Sequence, residues 1–143
     1  ECLVGSEMCI RDRYCSAGHP PTMVIRPESM PLGGGESRGG EVELLGCQSG
    51  VIGAFESMVY ETGVFTFAPG DMLFMYTDGT IEARDRTGAF FGEQRLRDLL
   101  LSVSGEGVSG ICGKVLGELD RFTESALDDD IALVSLEFLR GRS

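Results

Sequence analysis

Hydrophobic and polar positions follow two different periods along this chain, and the change of period divides it. Up to Tyr76 the apolar residues come in short runs of strand length, punctuated by glycine and proline. Thr22–Arg26 reads as a strand rich in Met, Val and Ile. Glu41–Leu45 alternates charged and apolar side chains, as a half-buried strand does. Val59–Phe67 carries β-branched and aromatic residues around Gly63, which predicts a strand with a bend or hairpin. Met72–Tyr76 is a continuous apolar run, suited to a strand covered on both faces within a layered domain. Tyr14–Ala17 could end a further strand. Between these lie turns at Gly18–Pro21 and Ala68–Asp71, a glycine-rich connection at Gly46–Gly53, and a mobile loop at Pro31–Gly40.

After Asp78-Gly79 the period becomes helical. A short helix fits Thr80–Arg86. Leu96, Leu99, Leu100 and Val103 then fall at helical spacing, and Val108, Ile111, Cys112, Val115, Leu116, Leu119 and Phe122 repeat the pattern beyond a break at Ser104–Gly107. Ile131–Phe138 returns to strand. Strands, two amphipathic helices and a closing strand, with no internal repeat, predict one α+β domain whose helices cover a sheet.

The chain has 143 residues with 23 acidic and 12 basic side chains, a formal charge of −11. Such a balance offers nothing to neutralise a run of phosphates, which excludes a nucleic-acid binder and favours cations or a basic partner surface. No stretch approaches the roughly 20 apolar residues of a membrane-spanning helix. Residues 1–13 show neither period. They resemble a translated sequencing-library adaptor, since Met8–Asp12 can be encoded by ATG TGT ATA AGA GAC. They are set apart as non-native read-through, with the native domain at 14–139 and a polar tail at 140–143. On that reading the natural sequence enters near Tyr14, inside a domain. Cys15, Cys47 and Cys112 then remain, without metal or disulfide spacing, and read as small buried residues of a reducing cytoplasm.

Two acidic sites stand at strand ends. Asp78 follows the run Met72–Tyr76, where a rigid scaffold delivers a side chain. Gly79 lets the backbone turn and keeps space clear beside the carboxylate. Asp78 is a site residue or simply the cap of the next helix. Asp128, Asp129 and Asp130 precede the last strand. They are oxygen ligands for a hard cation such as Mg²⁺, Mn²⁺ or Ca²⁺, or a solvated acidic turn. If the two strands are neighbours, Asp78 and one of the three can meet at one metal. Two carboxylates are too few for a tight site, so further ligands must come from elsewhere. His19, the one histidine, is either a proton-transfer group or a turn residue bonded to backbone.

These pieces, in this order, resemble the metal-dependent serine/threonine protein phosphatases (PPM), in the bacterial branch typified by stage II sporulation protein E and the stress-response sigma-factor regulators. The matching stretches are Ser16–Pro21, Gly50–Gly53, Phe67–Arg84, Phe91–Leu96 and Asp128–Val134. The resemblance implies the C-terminal part of a four-layer α-β-β-α sandwich. It implies a site for two Mn²⁺ or Mg²⁺ ions that activate water for attack on phosphorus. By matching motifs Asp78 and Asp129 are metal ligands, with Asp128 or Asp130 taking the second place if the alignment shifts by one. Gly79 and His19 then shape the site, and Thr80–Arg84 falls where regulatory domains act on a helix. The implied partners are a phosphorylated anti-sigma-factor antagonist and an upstream sensor or receiver domain, and a homodimer would be unsurprising.

Two departures accompany the resemblance. Ala132 stands where the family usually has Thr. The upstream Gly-Asp-x-x-Asp and Asp-x-x-Gly-His-Gly motifs are absent from the chain, so it carries part of a metal site and is expected to be inactive alone. A silent, protein-binding relative is the alternative. The expected location is cytoplasmic, and a parent tethered to a membrane upstream is compatible with that.

Overall fold

Strand-forming runs and helical faces assemble around one four-stranded sheet. The computed structural model describes residues 10–28, 40–46, 48–125 and 129–139. Its strands are β1 (Ile10–Tyr14), β2 (Ser16–Ala17), β3 (Met23–Arg26), β4 (Glu41–Leu44), β5 (Gln48–Ser49), β6 (Gly63–Phe67), β7 (Met72–Tyr76) and β8 (Leu133–Glu137). Its helices are α1 (Gly79–Glu82), α2 (Glu93–Ser102) and α3 (Val108–Thr123), with a short 3₁₀ turn at Ser104–Glu106. The α+β class is the one expected. Residues 31–39 of the glycine-rich loop, Asp128 and the 140–143 tail lie outside the described residues.

The main sheet has the order β4-β3-β7-β8, antiparallel throughout. Alternation sorts its side chains. Met23, Ile25, Val42, Met72, Phe74 and Tyr76 face α2 and α3, where they meet Leu96, Leu100, Ile111, Val115 and Leu119. Each such side chain contributes about 1.5–3 kcal/mol by leaving water. On the other face Val24 and Leu45 join Phe65 and Phe67, with Tyr14, Leu73 and Phe138 at the margin. Strand β3 is thus the one buried on both faces, its residues Met23, Val24 and Ile25 all enclosed. Strand β7 is buried towards the helices, and its opposite face, Leu73 and Met75, is half-buried. Strand β8 closes the edge, with Val134 and Leu136 exposed.

Four differences from the patterning have physical reasons. Residues 10–13, which show no strand period, pair as β1 with β6, Ile10 opposite Phe67 and Tyr14 opposite Gly63. A ladder is made by backbone groups, so Arg11, Asp12 and Arg13 take part while their side chains stay in solvent. The expected strand at Val59–Phe67 begins at Gly63, where a Cβ would run into the ring of Tyr14. Only two residues of the connection at Gly46–Gly53 pair, as β5 in parallel with β2. Cys15 is exposed and Cys112 half-buried, so neither is the enclosed small residue expected, and Cys47 lies outside the described residues.

Helices α2 and α3 each start after a glycine in the left-handed region, Gly92 (φ 80°) and Gly107 (φ 73°), conformations that other residues adopt only at a cost. The chain between α1 and α2 folds back on α1. Phe91 N–H donates to Ala83 O (2.8 Å) and Gly92 N–H to Ile81 O (2.9 Å). Phe91 then meets Phe122 of α3 edge-on, 5.2 Å between centroids, and the Arg95 guanidinium lies 4.4 Å from the Phe122 ring centre. This packing fixes α1, and with it the strand end that carries Asp78.

Candidate functional site

The site forms where β7 ends and β8 begins. The two strands are antiparallel with Tyr76 opposite Leu133, so the exit of one lies beside the entry of the other. This is the neighbour relation that the sequence required for the two acidic sites to meet. One step further, Thr77 N–H donates to Ala132 O (3.1 Å). There the chain turns into α1, and the Thr77 carbonyl is taken by Thr80 N–H (3.0 Å). Ala132 N–H does not use the Thr77 carbonyl as its acceptor. It donates instead to the Thr77 hydroxyl (3.0 Å), which itself donates to Asp130 O (3.0 Å).

Asp78 caps α1 with its side chain, Oδ1 accepting from Gly79 N–H at 3.1 Å. The residue is nonetheless exposed, so capping does not remove it from solvent or from a ligand. Asp129 is also exposed, its Oδ1 accepting from Asp130 N–H at 2.8 Å. Gly79 lies between the two loops. A Cβ on it would come 2.9 Å from Asp130 O, 3.2 Å from Asp129 Cβ and 3.4 Å from Asp129 Cγ. Its φ lies outside the left-handed region, so close approach and not a sharp turn is what requires glycine here. The sharp turn expected of Gly79 is thus not what requires glycine, and the space it leaves is taken by the 129–130 loop.

Asp130 offers its carbonyl to this junction, and Asp128 lies outside the described residues. Among the described residues none of Asp78, Asp129 and Asp130 forms an ion pair. Clustered carboxylates without a cationic neighbour repel one another and attract a cation. Their oxygens suit a hard ion such as Mg²⁺ or Mn²⁺. No group of three His, Cys, Asp or Glu side chains able to hold a metal occurs among the described residues. The carboxylates present could serve as part of a coordination shell, and the described residues alone do not complete one.

His19 reaches the same place from the other side of the sequence. Gly18 turns in the left-handed region (φ 79°) and its N–H donates to Ser49 O (2.9 Å). His19 Nδ1 lies 2.7 Å from Pro20 O. A carbonyl only accepts, so Nδ1 carries the proton in this contact, and Nε2 makes no hydrogen bond among the described residues. A cleft of about 340 Å³ is lined by Gly18, His19, Pro20, Pro21, Ser49, Asp78 and Ile81. His19 is thus a backbone-bonded turn residue and also a wall of the cleft that holds Asp78. Sequence reasoning assigned no role to Thr77 or Ser49. A hydroxyl residue at the point where a strand gives way to an Asp-Gly helix start was the available signal for Thr77.

The family model of stage II sporulation protein E (SpoIIE) matches residues 11–139. The chain belongs to the SpoIIE family. Its match begins inside the stretch read as adaptor, at Arg11. Protein IcfG of Synechocystis sp. is 29% identical over 126 residues, covering 86% of this chain and 18% of that protein. The PP2C phosphatase domain with a regulatory fragment of SpoIIE from Bacillus subtilis superposes with a TM-score of 0.67 at 15% identity, over 90% of this chain and 34% of that one. The RsbU and RsbW domains of Rv1364c from Mycobacterium tuberculosis give 0.66 at 22% identity, over 96% of this chain and 37% of that one. The fold is therefore that of PP2C phosphatase domains, and the chain spans less than half the length of these relatives. No helix among the described residues is long and apolar enough to cross a membrane.

Proposed function

We propose that this chain is the C-terminal part of a metal-dependent phosphoprotein phosphatase domain acting on phosphoserine or phosphothreonine. Its substrate on this reading is an anti-sigma-factor antagonist-like protein, met in the cytoplasm downstream of a sensor or receiver domain. The observation that carries the reading is the close approach of the Asp129 loop, from the strand adjacent in the sheet, to Gly79, the residue that follows Asp78. Family membership and the PP2C fold support it.

Asp78 and Asp129 would hold the metal through carboxylate oxygens, with Asp130 or Asp128 adjacent. Bound there, Mn²⁺ or Mg²⁺ would supply activation of water and offset charge on the phosphoryl group. The chain's own residues do the rest. The Thr77 bonds hold the 130–132 loop against the end of β7. The turn 18–21 walls the cleft with His19, whose protonated Nδ1 is tied to backbone and whose orientation is thereby set. The missing hydroxyl at Ala132 leaves no gap in this bonding, because the loop is held through the Ala132 backbone and the hydroxyl comes from Thr77.

The test is hydrolysis of a phosphoserine protein by the complete domain in millimolar Mn²⁺, beside the 143-residue chain alone. The complete domain turns over, and Asp78→Asn and Asp129→Asn each abolish turnover. The chain alone is inactive, since it carries only part of the ligand set. Turnover untouched by both substitutions would sink the site assignment. Mn²⁺ binding without turnover would replace the enzyme with a protein-binding relative.

A further inference from the structure

The junction between the two acidic loops is held by one side chain. Thr77 stands where β7 stops pairing. In an antiparallel ladder a hydrogen-bonded pair exchanges two N–H···O bonds. Thr77 and Ala132 keep the first, Thr77 N–H to Ala132 O. The second is replaced: Ala132 N–H turns to the Thr77 side chain, while the Thr77 carbonyl accepts from Thr80 N–H in the first turn of α1. The hydroxyl takes the carbonyl's place as acceptor for Ala132 N–H, and its own proton goes to Asp130 O. So one residue gives its carbonyl to the helix that Asp78 caps and its hydroxyl to the loop that carries Asp129.

We propose that Thr77 is a positioning residue of the metal site. It holds the Asp129–Ala132 loop in register with the strand end that carries Asp78, and Asp78 and Asp129 are the two residues that would supply carboxylates to the metal. This rests on the phosphatase reading above for the identity of the ligand, and on hydrogen bonds alone for the junction. No other described side chain spans the two loops by hydrogen bond, and Gly79 contributes only close contact. Residues that hold metal ligands from behind typically change affinity by 10–100-fold when lost.

Thr77→Val keeps the β-branch and volume and removes the hydroxyl, whereas Thr77→Ser keeps the hydroxyl. Two readouts are needed. In the 143-residue chain, amide hydrogen exchange at Ala132 reports the junction without any metal. In the complete domain, Mn²⁺ affinity measured by electron paramagnetic resonance reports the site. It is paired with the split between the Mn²⁺ concentration for half-maximal activity and kcat at saturating Mn²⁺. The expected result is faster Ala132 exchange in Thr77→Val and a loss of about 10–100-fold in Mn²⁺ affinity. At saturating Mn²⁺ kcat stays near wild type, and Thr77→Ser restores both readouts. If Thr77→Val exchanges and binds like wild type, the inference is wrong. Faster exchange with unchanged affinity overturns the positioning role and leaves a purely structural bond. A wild-type domain that binds no Mn²⁺ overturns the phosphatase reading itself and this role with it, a failure distinct from the other two.

Discussion

Replacing Gly79 by alanine sets two known effects against each other, and the structure decides the sign. In a helix, Gly to Ala ordinarily stabilises by up to about 1 kcal/mol through reduced freedom of the unfolded chain. Gly79 opens α1 and its φ imposes no penalty on alanine. The new methyl group, however, would lie 2.9 Å from Asp130 O and 3.2 Å from Asp129 Cβ. The nearer atom is backbone, held by the Thr77 hydroxyl at 3.0 Å, so it cannot yield by a simple rotamer change. Relieving the contact means moving the entry of β8 or breaking that bond. Overpacking of this kind costs about 1–3 kcal/mol. The clash outweighs the propensity gain, and Gly79→Ala destabilises by roughly 1–2 kcal/mol. At an m-value of about 2 kcal/mol/M the urea midpoint falls by roughly 0.5–1 M. Gly113→Ala and Gly117→Ala are the internal controls. Both lie in α3, and a Cβ at either meets nothing within 4 Å. Each should stabilise by up to about 1 kcal/mol. If Gly79→Ala stabilises as the α3 substitutions do, the two acidic loops do not approach as described, and a shared site loses its main support.

Two further outcomes test the frame around the site. Asp71 is 6% exposed, and its Oδ2 accepts from Ala68 N–H (2.9 Å) and lies 3.8 Å from Arg26 Nε. Asp71→Ala leaves that N–H short of its acceptor, while Arg26 keeps Glu43 at 3.5 Å, and should cost about 1–3 kcal/mol in denaturant unfolding, with Asp71→Asn costing less. An Ala variant as stable as wild type would show that the turn before β7 does not depend on this carboxylate. The Tyr76 phenol is pushed up from 10.0 to about 12, first by burial and then by the Glu93 charge. A raised value means that the folded state favours the neutral phenol. Its contribution is therefore fully present below pH 10.0 and is lost as pH rises through about 12. Denaturant midpoints should fall over that window and fall less in Tyr76→Phe. Since the buried hydroxyl has no hydrogen-bond partner among the described residues, Tyr76→Phe should leave stability at neutral pH unchanged or raise it. Identical pH profiles for the two proteins would assign the alkaline loss to another group.

Much of the fold was legible because it is written in local period. Leu96, Leu99, Leu100 and Val103 define α2 wherever the helix packs, and Val108 to Phe122 define α3 in the same way. The turn at Ala68–Asp71 was legible too, and the structure closes it with Asp71 N–H on Ala68 O at 3.0 Å. Strand limits were less so. Val59 to Thr62 have strand-like composition but pair with no strand among the described residues, and residues 10–13 lack strand composition but pair with β6. Pairing depends on what lies alongside, which composition does not record. The exposure of Cys15 has the same cause, since its surroundings are built by residues distant in sequence.

For the site, the sequence by itself determined the chemistry on offer. It placed carboxylates at two strand ends, a glycine beside one of them and a lone histidine in a proline turn. Only the tertiary structure decided that these belong together. Strand β8 had to choose β7 as its neighbour, antiparallel and with Leu133 opposite Tyr76, before Asp129 could stand beside Gly79. The role of Thr77 was further out of reach. Its hydroxyl matters because, where its carbonyl turns into α1, Ala132 N–H takes the hydroxyl as acceptor. Residue type and period follow from the chain alone, whereas a hydrogen bond between residues 77 and 132 exists only once two distant segments have paid the entropy of meeting.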